Sequence, residues 1–252
     1  MTHNRKSFAN ITPPKKLLRH AGRAISDYHM IKDGDRVLLG LSGGKDSLSL
    51  LHILLHFQRH APINFELAAM TVDPQSGDFD PSPMIPYLKS LGIPYFYVQE
   101  DILNMAESHM KGDSYCSFCA RIKRGVMYST ARKENYNVLA LAQHLDDLAE
   151  SFLMSAFHGG TLKTMKAHYI NDDGDLRIIR PLVYARERVL ADFARKQNLP
   201  VIPENCPACF SKPTQRETMK QLLAQQETQS PQLFGSLLST LRPLMEKGLP
   251  EK

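Results

Sequence analysis

Val37-Leu-Leu-Gly-Leu-Ser-Gly-Gly-Lys-Asp-Ser47 is the stretch that decides the fold. Its first half is a short continuous apolar run, the pattern of a strand buried on both faces. A glycine turn then hands the chain to a helix from about 46 to 57. A unit of this kind leaves free backbone N–H groups and the positive end of a helix dipole at the loop, where a phosphate is attracted. Gly43 and Gly44 let the backbone approach such an anion, and Lys45 adds a mobile positive charge. The spacing is not that of a Walker loop, because Gly40 is one residue too near the Gly-Lys pair and Asp46 stands where a serine or threonine is needed.

Outward from this unit the same alternation recurs. Strands are expected over 65–72, 95–98 and 138–142, with helices over 83–91, 120–132 and 145–157. Alternation on this scale predicts an α/β, Rossmann-like fold, a parallel sheet with helices on both faces. After Gly159-Gly160 the pattern changes: 167–170 and 176–179 flank Asn171-Asp-Asp-Gly174 as a hairpin, and 187–196 reads as a helix. The polar, glutamine-rich stretch over 213–244 also reads as helical. Upstream, Pro13-Pro14 leads into a short amphipathic helix with Leu17, Leu18, Ala21 and Ile25. The expected organisation is an N-terminal basic helical segment (1–35), a core carrying the phosphate-attracting loop (36–200) and a cysteine-containing C-terminal helical region (201–252).

In an open parallel sheet, ligands bind beyond the carboxyl ends of the strands. Those positions are polar here: Ser42 to Ser47, Asp73, and Gln143-His-Leu-Asp-Asp147. Asp146 and Asp147 open a helix, where capping alone would favour carboxylates; a magnesium or nucleotide role for at least one of them is the preferred reading. His144 is a nucleotide-site candidate, against the plainer reading of a satisfied cap or core histidine. The four cysteines form two identical spacings, Cys116-Ser-Phe-Cys119 and Cys206-Pro-Ala-Cys209. Two such pairs can converge on a four-thiolate zinc or ligate an iron–sulfur cluster, and spacing alone does not choose.

Lys and Arg number 31 against 26 Asp and Glu, a net charge of +5. The basic residues gather at Arg5 to Arg23, at Arg121, Lys123, Arg124, Arg132 and Lys133, and at Arg177, Arg180, Arg186 and Arg188. That suits a polyanionic partner, although each cluster alone reads as a solvated helix face. No apolar run is long enough to span a bilayer and the N-terminus is polar, so a cytoplasmic protein with no membrane partner is expected.

Ser42-Gly-Gly-Lys-Asp-Ser47 resembles the signature of the PP-loop ATP pyrophosphatases, which cleave ATP between its α and β phosphates and transfer AMP to a substrate oxygen. The ordered set is similar to the tRNA 2-thiocytidine synthetase family from about Lys15 to Arg216. That set is the loop, Cys116-Ser-Phe-Cys119 with Ala-Arg-Ile-Lys-Arg-Gly125, His144-Leu-Asp-Asp147, Gly159-Gly160, Arg180-Pro-Leu182, and Ile202-Pro-Glu-Asn-Cys206-Pro-Ala-Cys209. The resemblance implies ATP, Mg²⁺ and an oxygen-sensitive 4Fe-4S cluster on Cys116, Cys119 and one of the second pair, Cys206, with Cys209 a further candidate and zinc the alternative. It implies catalytic roles for Lys45, Asp46, Asp146 and Asp147, and a nucleotide site of Ser42, Gly43, Gly44, Lys45, Asp46, Ser47, Asp73 and His144. The implied reaction is adenylation of the C2 oxygen of an anticodon-loop cytidine in tRNA, followed by displacement of AMP by sulfur from a cysteine desulfurase, in a homodimer. The chain departs from the pattern in reading Ala142-Gln143-His144 where relatives commonly read Gly-His-His, and in a shorter C-terminal region.

Thiolation of another tRNA base, of the 2-thiouridine type, uses the same parts. Lysidine-type ligation or amide formation on the same loop would need no cysteine centre. An RNA-binding zinc module would account for the cysteines and basic helices but leave Ser42 to Ser47 without a purpose.

Overall fold

Leu38 and Leu39 are fully buried in the middle of a sheet, on a strand with both faces covered. In the computed structural model, which describes residues 11–75, 79–109, 115–202 and 214–246, the chain runs α1 (Lys15–Asp27), β1 (Asp35–Gly40), α2 (Lys45–His60), β2 (Phe65–Asp73), α3 (Met84–Leu91), β3 (Tyr95–Gln99), α4 (Ile102–His109), α5 (Tyr115–Lys133), β4 (Val138–Ala140), α6 (Leu145–Gly159), β5 (His168–Ile170), β6 (Arg177–Ile179), α7 (Glu187–Gln197), α8 (Gln215–Gln229) and α9 (Leu233–Glu246). The sheet order is β3-β2-β1-β4-β6-β5, parallel except for the antiparallel edge strand β5.

Side chains alternate across a strand, so a strand with both faces covered must be apolar at every position. Val37 and Leu39 join the core packed by α1, α2, α6 and α7, whereas Leu38 joins a second core with Ala68, Met70, Leu139, Ile178 and Ala131 of α5. Helix α2 is buried from Ser47 to Leu55, which matches its near-continuous apolar sequence. Helix α1 buries the single stripe Leu17, Ala21 and Ala24.

The expected hairpin is present. Asn171 Oδ1 accepts from the backbone N–H groups of Asp175 (3.1 Å) and Leu176 (3.0 Å), which closes the turn between β5 and β6. Three details differ from the pattern reading. Helix α4 was not foreseen. Helix α5 begins at Tyr115, so Cys116 and Cys119 lie in its first turns rather than before it. Its early start follows from packing, because Phe118 buries against Ile102 and Ala106 of α4 with Tyr115 and Ile122 alongside. Strand β4 stops at Ala140, which releases Leu141 and Ala142 to the cavity described below.

At the amino ends of the strands, Asp35 is buried and accepts from Lys32 N (2.6 Å), Asn137 Nδ2 (2.9 Å) and the Arg177 guanidinium. It thereby ties β1 to the start of β4 and to β6. Removing the carboxylate leaves a half-buried guanidinium without its charge partner. We expect Asp35→Ala to lower unfolding free energy by about 3–5 kcal/mol, measured by chemical denaturation. Nucleotide affinity should not change, because the loop after β1 lies a strand length away.

Candidate active site

Between β1 and β4 the strand order reverses direction, and the loops that leave these two strands diverge there. Such a switch point is where an open α/β sheet accommodates a ligand. A cavity of about 740 Å³ opens at this place, lined on one side by Ser42, Lys45, Asp46 and Ser47 and on the other by Ala120, Lys123, Arg124 and Met127 of α5.

The loop is held by its own serines. Gly44 N–H donates to Ser42 Oγ (3.2 Å), Ser47 Oγ donates to the Gly44 carbonyl (3.0 Å), and the two hydroxyls lie 3.2 Å apart. Gly44 is the N-cap of α2 and supplies no side-chain cap, so the first-turn N–H groups are not spent on capping. Gly43 sits at φ +85, and a Cβ there would come within 2.9 Å of the Ile202 side chain. Ile202 N–H also donates to the Gly43 carbonyl (3.0 Å). Glycine is thus demanded at 43 by a clamping segment as well as by the turn. Gly40 is closely packed, since a Cβ there would meet Met127 Sδ at 3.0 Å and Leu141 Cδ2 at 3.2 Å and would have to displace them.

Lys45 Nζ lies 2.9 Å from Glu187 and 3.1 Å from Asp46. Burial works against its charge, but the two carboxylates outweigh burial and raise its pKa. Lys220 of α8 reaches Glu187 at 2.9 Å. Burial pushes the Glu187 carboxyl up, yet Lys220 and Lys45 pull it down further, to about 2. Asp46 Oδ1 is buried and has no hydrogen-bond partner among the described residues.

His144 caps α6: Asp147 N–H donates to its Nδ1 (3.3 Å), and its own N–H donates to Asp147 Oδ2 (2.8 Å). The cap needs Nδ1 unprotonated, which leaves the ring N–H on Nε2, 3.7 Å from Asp46 Oδ2. Burial disfavours the imidazolium, but Asp46, Asp147 and Asp146 together raise the pKa.

The sequence candidates are therefore brought together unevenly. Ser42, Lys45, Asp46, Ser47, His144 and Asp147 line the cavity, and Gly43 and Gly44 form the loop beneath it. Asp147 is committed to the cap and to Arg216. Asp146 accepts from Arg186 Nε (3.0 Å) and from Glu187 N–H (2.8 Å), which fastens the start of α7 to α6. Asp73 is turned toward the β2–β3 edge, where it accepts from Tyr97 Oη and from Gln75 N–H (2.8 Å). Cys119 is half-buried in α5, one turn before Lys123. Cys206 and Cys209 lie outside the described residues. Among the described residues no group of three or more His, Cys, Asp or Glu side chains is arranged to hold a metal.

Pattern reading missed Glu187, Glu150, Arg216 and Lys220. Arg216 reaches Glu150 at 2.7 Å from α8, far along the chain, and nothing local in sequence announces that contact. The third basic cluster is divided: Arg177, Arg180 and Arg186 are turned inward, with Arg186 in a two-bond pair with Glu227 (2.7 and 2.8 Å), and only Arg188 faces solvent. In the second cluster, Arg132 is spent on Asp173 and Asp175 of the hairpin.

A family model described as a PP-loop domain matches residues 15–209. The tRNA-cytidine(32) 2-sulfurtransferase of Geobacter sulfurreducens is 42% identical over 228 residues, covering 90% of this chain and 89% of that protein. The protein of the same name from Nitrosospira multiformis is 40% identical over 237 residues, covering 93% and 79%. Among solved structures, the U34-tRNA thiolase NcsA of Methanococcus maripaludis, with its [4Fe-4S] cluster, superposes with a TM-score of 0.72 at 22% identity, covering 92% of this chain and 79% of that one. NAD+ synthetase of Burkholderia pseudomallei gives 0.50 at 14% identity, covering 95% and 92%. These two share the fold.

The low pKa of Glu187 has a stability consequence with a definite sign. A carboxylate held near 2 in the folded chain, against 4.5 as its ordinary value, contributes stability that is full above about pH 4.5 and is lost as pH falls through about 2. Glu187→Gln should therefore be less stable than the parent by up to about 3 kcal/mol near neutral pH. The difference should shrink toward zero in denaturation curves recorded progressively closer to pH 2.

Proposed function

The chain belongs to the PP-loop family and, within it, to the tRNA-cytidine(32) 2-sulfurtransferases, and on that premise we propose how its residues carry out ATP-dependent thiolation of tRNA. The observation that carries the reading is one cavity with the anion-binding loop Ser42–Ser47 on one wall and the cysteine-bearing helix α5 on the other. An RNA-binding zinc module has no use for the first wall, and an amine ligase has none for the second.

The base oxygen is a poor leaving group until it is joined to phosphate. In the proposed sequence the cytidine C2 oxygen attacks the α-phosphorus of ATP, an O–P bond forms, and pyrophosphate leaves with the electrons of the broken P–O bond. Sulfide then bonds to C2 with its own electron pair, and AMP departs with the oxygen and the electrons of the broken C–O bond. The first-turn N–H groups of α2 receive the departing pyrophosphate, with Lys45 opposing its charge. Glu187 and Lys220 hold Lys45 in place. Asp146 and Asp147 act here as positioning residues, fixing α7 and α8 around the loop.

The unpartnered Asp46 Oδ1 suits Mg²⁺, which in nucleotide sites takes one or two carboxylates plus phosphate oxygens rather than a protein cage. Mg²⁺ bound there would supply charge neutralisation on the phosphates. Thiolates spaced as Cys116 and Cys119 are, one turn apart on α5, suit a 4Fe-4S cluster completed by Cys206, with Cys209 or a zinc site as the variant arrangement. Such a cluster would supply a site for sulfide beside the base. The same reading includes a cysteine desulfurase as the source of sulfur, a homodimeric assembly and a cytoplasmic location. Among the described residues, no helix is long and apolar enough to cross a membrane.

The two walls should separate by mutation. Lys45→Ala or Asp46→Ala should lower AMP and pyrophosphate release with tRNA by roughly 100-fold or more while the fold persists; full release from either folded variant would overturn the loop's role. Cys119→Ser, purified anaerobically, should lose iron and thiolated product but keep ATP binding. A tightly held zinc with no iron in the parent would move the cysteines to a structural role.

Lys123 and Arg124 line the cavity and have no carboxylate partner among the described residues. Replacing either by Ala should weaken tRNA binding similarly across tRNA sequences. It should also reduce the slope of log affinity against log salt by about one, read by titrations at several salt concentrations.

A further inference from the structure

Arg180 follows β6 directly and so stands at the same sheet edge as the loop after β1 and His144 after β4. It is only 6% exposed and it lines the cavity. Its Nε donates to Gln143 Oε1 (2.9 Å), one terminal nitrogen donates to the Lys166 carbonyl (2.7 Å), and the guanidinium lies 5.5 Å from the Tyr169 ring centre. None of these partners carries a negative charge. Two neighbouring arginines, Arg216 in the cavity lining and Arg186 behind it, are each matched by carboxylates at 2.7 to 3.0 Å, and the lining residue Arg124 is exposed to solvent where Arg180 is not. No carboxylate among the described residues lies within ion-pair distance of Arg180.

A buried guanidinium without a counter-charge is costly, and protein interiors normally match it. The neighbouring charges do not relieve it: Arg124 is of like sign, and burial together with Arg124 lowers the Arg180 pKa against the help of Tyr169 and Tyr128. Gln143 orients the fork through its amide oxygen and adds no charge. A histidine or a carboxylate at 143 would alter that balance; glutamine preserves it.

We propose that Arg180, aimed by Gln143, is a phosphate-binding residue whose missing counter-charge is a phosphate oxyanion carried in by a substrate. The proposal rests on the reading that ATP and tRNA meet in this cavity, and both carry that group. Arg180 leaves β6, with β4 between it and the loop, about two strand spacings or roughly 10 Å across the sheet. That is far enough to bind a second phosphate while the loop holds the first.

The test uses the full chain and three substitutions: Arg180→Gln, which removes the charge; Arg180→Lys, which keeps it; and Gln143→Glu, which neutralises it in place. Affinity for ATP alone and for tRNA alone is measured for each by calorimetry, with thermal unfolding as the check on the fold. Gln143→Glu should unfold at or above the parent's temperature and yet lose roughly ten- to hundredfold in affinity for one ligand. Loss for ATP with tRNA unchanged assigns the oxyanion to the nucleotide, and loss for tRNA with ATP unchanged assigns it to the RNA. Arg180→Lys should recover part of what Arg180→Gln loses. In the double variant Arg180→Gln, Gln143→Glu, the added carboxylate should cost little beyond Arg180→Gln alone, because the two act through one interaction.

Parent-like affinity for both ligands in folded Arg180→Gln overturns the proposal. A strictly additive double variant overturns it too, since the carboxylate introduced at position 143 would then repel phosphate without acting through Arg180. Absence of AMP release by the parent with tRNA would instead refute the thiolation reading, and the binding arms would still decide the role of Arg180.

Discussion

Because Val37 and Leu39 belong to one core and Leu38 to the other, β1 has no face open to solvent. The chain can present chemistry only where that strand ends. Everything at the site follows from this confinement. The helix after β1 is buried along most of its length, so its N-terminus is fixed, and its unspent N–H groups point to the edge where β4 and β6 also end. Strands running in parallel deliver the loop, His144 and Arg180 to one line of positions without any of them being close in sequence.

The cavity wall built by α6, α7 and α8 is a closed electrostatic system. Asp146 faces Arg186, Glu150 faces Arg216, and Glu187 faces both Lys45 and Lys220. The Asp146–Arg186 pair is removed from solvent on both sides, so breaking it leaves a buried charge without a partner, whereas Arg216 and Lys220 reach their carboxylates from the solvent side. They hold the starts of three helices at fixed distances from the loop. The opposite wall, with Lys123, Arg124 and Arg180, is cationic and unmatched among the described residues. The asymmetry of the two walls suits an anion entering between them.

Much of this was legible in the sequence, and for a physical reason. The apolar run Val37 to Leu41 and the glycine loop are local features, and the strand-end rule converts them into a site; the same rule locates His144, and applied to β6 it would have located Arg180. Helix α4 and the early start of α5 were not legible, since both depend on Phe118 packing against Ile102 and Ala106. Asp73 obeyed the strand-end rule but turned away, because Tyr97 on the neighbouring strand offers its hydroxyl. The paired aspartates are engaged by partners at the starts of α7 and α8 that no local pattern reveals. Basic clusters were the least informative signal: Arg132 and Arg186 look alike in sequence, yet one is spent on a surface hairpin and the other in an internal network.

Gly43 links the loop after β1 to the segment that follows α7. Its carbonyl accepts from Ile202 N–H, and the Ile202 side chain occupies the space that a Cβ at 43 would need. Ile202 ends the described segment that precedes 203–213, where Cys206 and Cys209 stand in the sequence, and Arg216 follows that stretch, anchored to Asp147 and Glu150. Ile202 and Arg216, on either side of 203–213, are therefore fastened to the cavity, one to the loop itself and one to the helix beside it. A side chain at 43 would push against Ile202 from a backbone conformation that only glycine adopts freely. The loop could not accommodate it without shifting the segment that leads to Cys206. The glycine that resembles a simple phosphate-loop residue thus also seats Ile202 against the loop, so the turn and the segment after α7 are fixed by one contact.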